Sequence, residues 1–133
     1  MAFRKLPKVI TRVGDLPATI TIGCNKNTRG HSRTAYLAIS GKARRMLGDP
    51  AAIVLEWDED AWLLRIRVAA VDDPDAYGIG KTPRIGITPI ARELGWMWGI
   101  PVTVEVTQET RISIIADLSE VRTSSANGPE VAR

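Results

Sequence analysis

The side chains best equipped to act at a distance are the cations, and they are unevenly spread. Residues 1–48 carry ten Lys or Arg against one acid, Asp15, a net +9; residues 49–133 carry a net −6. Three groups stand out: Lys26, Arg29 and Arg33 in and beside the segment CNKNTRGHS, Lys42, Arg44 and Arg45 in GKARRML, and Arg4, Lys5 and Lys8 near the start. Such residues bind phosphates, because each neutralised phosphate releases condensed counterions. The asymmetry points to a polyanion-facing side, and nucleic acid is the commonest polyanion met by an intracellular domain. The same counts also fit a fold that mixes the charges in space, since net charge informs partners and not fold.

Other chemistries fare less well. One His and one Cys, His31 and Cys24, cannot build a zinc site of the usual His/Cys kind, and His31 has no visible partner for a Ser-His-Asp arrangement. The acids Asp58, Glu59, Asp60 and Asp72, Asp73, Asp75 sit in turn-like segments without the spacing of a calcium loop. Gly80-Lys81-Thr82 matches only the end of a phosphate-binding P-loop, whose first glycine falls on Asp75. Gly78-x-Gly80 fails as a dinucleotide fingerprint, because Pro83 takes the third glycine position. Neither catalysis, a cofactor nor a metal is expected. Trp96 and Trp98 in GWMWG leave three readings open: a platform for stacked bases, a plug in the fold, or a contact with a partner protein.

The elements that must position these residues follow from periodicity. Ala18–Gly23 is β-branched and reads as a strand; Cys24–Ser32 has turn chemistry, and Arg33–Ser40 reads as the returning strand. Ser40 stands at a helix N-cap, GKARRML makes barely two turns, and Gly48 ends them. Ile53, Leu55 and Trp57 share one strand face; Trp62, Leu64 and Ile66 face inward on the next. Residues 68–83, acidic and then Gly/Pro-rich, read as a linker.

After it the pattern returns. Ile85 and Ile87 alternate, Thr88 is the expected N-cap, Pro89 suits the first helical position, and Gly95 ends the helix. Val102, Val104 and Val106 stand where Ile53, Leu55 and Trp57 did, and Ile112 and Ile114 where Trp62 and Leu64 did. A β-α-β-β unit, spanning about 36–67 and 84–115, is thus written twice. One copy is too small for its own core and leaves open strand edges, so two should interleave. The expected fold is mainly β with two short helices: a pseudo-twofold barrel over 18–117, preceded by a basic arm (1–17) and followed by a flexible tail (118–133).

Each copy resembles the AbrB/MraZ/SpoVT-type swapped-hairpin unit. The carrying residues are Ile87-Thr88-Pro89, Arg92, Leu94-Gly95 and Val102 to Val106, and in the first copy Ile39-Ser40, Arg44, Leu47-Gly48 and Ile53 to Trp57. The resemblance covers about half the chain. It implies an intertwined barrel that binds DNA through basic residues of the strand and loop before the helix. The chain departs from the pattern at Gly99-Ile100-Pro101, and its basic charge gathers around the first copy.

The reading is therefore a small cytoplasmic DNA-binding protein, a transcriptional regulator, able to form a homodimer. The rivals are a protein-interaction module working through Trp96 and Trp98, and a single-stranded nucleic-acid binder. No apolar run approaches the ~20 residues of a membrane helix, and no signal-peptide core follows the basic start.

Overall fold

The computed structural model describes residues 2–6, 16–26, 33–80, 84–98 and 100–121. Eight strands and two helices follow in the order β1 (Thr19–Lys26), β2 (Arg33–Ile39), α1 (Gly41–Met46), β3 (Ala52–Asp58), β4 (Leu63–Val68), β5 (Tyr77–Gly78), β6 (Arg84–Gly86), α2 (Thr88–Leu94), β7 (Val102–Thr110) and β8 (Ser113–Asp117). One further helical turn covers 119–121. The strands form one antiparallel sheet, β5-β3-β4-β8-β7-β1-β2-β6, curled into a nearly closed barrel. No helix among the described residues is long and apolar enough to cross a membrane.

Alternation fills the interior. Ile20 and Ile22 of β1, Leu37 and Ile39 of β2, Ile53 of β3, Leu64 and Ile66 of β4 and Ile114 of β8 are all buried, the period-2 pattern of strands with one face in the core. Ala43 of α1 and Ala91 of α2 are fully buried, so small side chains let both short helices lie close to the sheet. Leu118 is buried too, which carries the packed unit past residue 117.

The helix ends differ. The Ser40 hydroxyl accepts from the amides of Ala43 (3.2 Å) and Thr19 (3.0 Å), so one side chain caps α1 and anchors the start of β1. Thr88 does not cap α2 as expected. It is the first helical residue, and its hydroxyl accepts from the amide of Ala35 at 2.9 Å on β2. Gly95 ends α2 in the left-handed region (φ 76°), where a side chain would be strained.

Two further expectations need correcting. The segment read as a linker contains β5, which pairs with Ala52 and Ile53. Ile112, expected inward, is half exposed at the β7–β8 turn, because the register shifts between Gln108 and Thr110 and re-aims the side chains beyond that point.

Candidate nucleic-acid interface

The β1–β2 hairpin outruns the barrel. β7 pairs with β1 only over Thr19–Ile22, and β6 pairs with β2 only over Tyr36–Ala38. Beyond those points Cys24–Lys26 and Arg33–Ala35 continue to pair with one another, ending on Lys26 opposite Arg33. Among the described residues the barrel's last backbone grip on this ribbon is at Ala35, whose amide and carbonyl bond Thr88 Oγ1 and the Ile87 amide. Two residues per strand, Asn25 and Lys26 on β1 and Thr34 and Arg33 on β2, lie further out, roughly 7 Å. Arg29 and Lys8 lie outside the described residues.

The three strands β1, β2 and β6 contain Lys26, Arg33 and Arg84 and not one Asp or Glu. Their outward positions are small or polar: Thr21, Gly23 and Asn25 on β1, Thr34, Tyr36 and Ala38 on β2. Across the barrel the outward residues are charged and mutually engaged. Arg65 donates to both oxygens of Glu109 (2.8 and 2.9 Å) and to Glu56 (3.3 Å), and Arg67 reaches Glu56 at 3.5 Å. The hydrogen bond from Arg65, with help from the Ser113 hydroxyl, holds Glu109 below the ordinary carboxylate value. Those arginines already serve a carboxylate ladder.

The remaining predicted cations do not form one surface. Lys42 and Arg45 lie on α1, at the opposite end of β2 from Arg33 and about 20 Å from it along the strand. There Arg45 is exposed, and both line an open recess of about 340 Å³ with Leu16, Pro17 and Gly41. Arg44 is corrected from phosphate contact to internal tie. Its Nη1 donates to the Gly80 carbonyl (3.0 Å), its Nε faces Asp49 at 3.9 Å, and its side chain is only 23% exposed. It fastens α1 to the chain between the two end strands of the sheet. Arg4 and Lys5 are exposed in a segment without regular structure.

Trp96 and Trp98 are corrected as well. They are 1% and 4% exposed, so neither offers a stacking platform or a partner-binding surface. Trp96 stacks on Trp98 (centroids 6.4 Å) and meets Trp57 edge-on at 5.0 Å, and Trp57 meets Trp62 at 5.3 Å. Four indoles from both halves of the chain pack together, which is the plug among the three readings. Met97, between them, reaches back to Cys24 of β1 with sulfurs 3.5 Å apart.

A second recess, about 300 Å³, lies beside β5 and is lined in part by Asp73, Asp75 and Tyr77, whose phenol is pushed up by burial and then by Asp75. No group of three or more His, Cys, Asp or Glu that could hold a metal occurs among the described residues. No known protein family, curated protein or solved structure matches this chain.

Proposed function

We propose that this chain is a small intracellular DNA-binding protein, a transcriptional regulator, that inserts the β1–β2 ribbon into a groove of duplex DNA. The observation that carries the reading is the ribbon itself: two strands that leave the barrel, end on paired cations and belong to a wall without carboxylates. A two-stranded ribbon fits the major groove of B-DNA, about 12 Å wide. Lys26, Arg29 and Arg33 contact phosphates near the tip, while Lys8, Arg4 and Lys5 act as an auxiliary basic arm. Lys42 and Arg45 form a separate, weaker contact at the far end of the wall.

The same proposal takes the barrel as a duplicated unit. Exchanging β1 with β5, β2 with β6, β3 with β7 and β4 with β8 leaves the cyclic strand order unchanged when β5 and β6 are set side by side. Under a shift of 50 residues the bond from the Val68 amide to the Ile112 carbonyl (2.8 Å) becomes the bond from the Leu118 amide to the Trp62 carbonyl (2.9 Å). Both observations support descent from the swapped-hairpin pattern. The halves have diverged where function requires it: the first keeps a long hairpin, and its counterpart is cut to two and three residues.

Titration of labelled duplex and single-stranded oligonucleotides with the purified protein at low and moderate salt tests the reading. Duplex binding that weakens steeply with salt is expected. Preference for the single strand would replace duplex recognition with the single-strand alternative, and no binding to either at low salt would move the function to a protein partner.

A further inference from the structure

We propose that Arg84, from the second half of the chain, adds a phosphate contact on the outward face of the ribbon, and that Tyr36 and Gly23 are the residues that position it. The inference rests on the ribbon being the DNA-binding element.

Arg84 opens β6 opposite Ala38, and its guanidinium carbon stands 4.0 Å above the centre of the Tyr36 ring. Tyr36 has a glycine as cross-strand partner on each side, Gly23 on β1 and Gly86 on β6. That leaves the ring room to lie down across β1. A Cβ on Gly23 would collide with the phenol end of the ring, so the ring covers the place where a side chain would be. Gly23 is buried as a result. One ring face is spent on the strand, and Arg84 lies over the ring.

A planar guanidinium stacked on an aromatic face keeps its N–H donors directed outward around its edge. Stacking also removes part of the side chain's freedom before any ligand arrives, which lowers the cost of binding. Arg84 is exposed and forms no ion pair among the described residues, and β1, β2 and β6 have no carboxylate to engage it. In this it differs from Arg44, Arg65 and Arg67, each of which faces an acid. Its guanidinium stands at the level of Tyr36, the root of the ribbon, about 10 Å along β2 from the Lys26–Arg33 pair. It lies on the outward strand positions, the parity opposite to that of Lys26 and Arg33. A duplex seated on the ribbon presents its sugar-phosphate backbone at the root, and contacts of that kind orient a protein without reading bases. The ligand group is therefore a phosphodiester.

The test compares duplex affinity across a salt series for wild type, Arg84→Gln, Arg84→Lys, Tyr36→Phe, Tyr36→Leu and Gly23→Ala, with a thermal melt of each. Loss of one phosphate contact lowers the slope of log affinity against log salt by about 0.9, so Arg84→Gln should show that drop on every duplex sequence alike. Arg84→Lys keeps the charge and loses the stack; its slope should hold while its affinity falls. Tyr36→Phe should match wild type, whereas Tyr36→Leu and Gly23→Ala should bind more weakly with the slope retained. If wild type binds duplex and Arg84→Gln, still folded, changes neither affinity nor slope, the inference falls and the ribbon reading stands. Should Arg84→Gln not fold, Arg84→Lys and Tyr36→Leu with wild-type affinity would overturn it equally. A wild-type protein that ignores duplex DNA removes both readings together.

Discussion

The two walls of this barrel share one backbone architecture and carry opposite side-chain economies. On the β3-β4-β8-β7 wall the strands contain Glu56, Asp58, Glu105, Glu109 and Asp117, and the outward arginines are bound to two of these acids. On the β1-β2-β6 wall there is no acid, the outward positions of β1 and β2 are threonine, glycine, asparagine, alanine and one tyrosine, and Arg84 is propped on that tyrosine. An arginine held by a carboxylate has its charge answered within the protein. One held by an aromatic ring keeps its charge for something else. The partner of a basic side chain, more than its presence, separates a structural cation from a binding one, and Arg44 makes the point from inside the predicted binding set.

The comparison is sharpest where binding is measured. Reversing Lys26 and Arg33 to Glu should lower duplex affinity by about a hundredfold or more at moderate salt, while reversing Arg65 and Arg67 should leave affinity within about twofold. Equal losses from the two pairs would mean that the walls do not differ in function. The tryptophan cluster supplies the largest effect on stability. Trp96→Ala should cost about 3–5 kcal/mol in urea unfolding, the usual range for emptying a large aromatic site; a cost near zero would return Trp96 to the surface. The two helix starts give a smaller contrast. Ser40→Ala removes an acceptor from two amides and should cost about 1–2 kcal/mol, against about 1 kcal/mol for Thr88→Ala, which frees one.

The smallest effect concerns pH. Glu109 has its folded-state pKa held below the ordinary value of 4.5 by Arg65, so its contribution is fully present above that value and is lost as pH falls through the lower, folded one. Acid unfolding of Glu109→Gln should lack that component and otherwise follow wild type. An unchanged acid limb would show that the ladder contributes nothing to stability.

Much of the fold was legible because its cues are local. Ile20 and Ile22, Leu37 and Ile39, and Leu64 and Ile66 alternate, and Ser40 is followed at once by a helical run, so the strands and α1 fall near their expected places. What local pattern could not carry lies in contacts between distant segments. The Thr88 hydroxyl has the local setting of a cap, and nothing nearby reveals that the Ala35 amide, 53 residues earlier, will claim it. Arg44 sits on the polar side of its helix by spacing, yet Gly80 covers that side. Trp96 and Trp98 fall in a glycine-flanked insert with no periodicity, and only the arrival of Trp57 from the other half encloses them. Arg84 is isolated among the cations of the sequence, so charge clustering does not mark it. The signal for it was a tyrosine in the preceding half with glycine as its cross-strand neighbour on each side.

The pairing of β1 with β7 has a consequence during synthesis. The Thr21 and Thr103 hydroxyls that meet across that pair, 2.8 Å apart, are 82 residues apart in the chain. A ribosome adding about 5–20 residues per second takes roughly 4–16 s to cover that interval. For that time the basic first third has emerged with its sheet incomplete, one long strand edge uncovered and its cations accessible to any polyanion nearby. The barrel cannot close from its beginning; it closes when its seventh strand arrives.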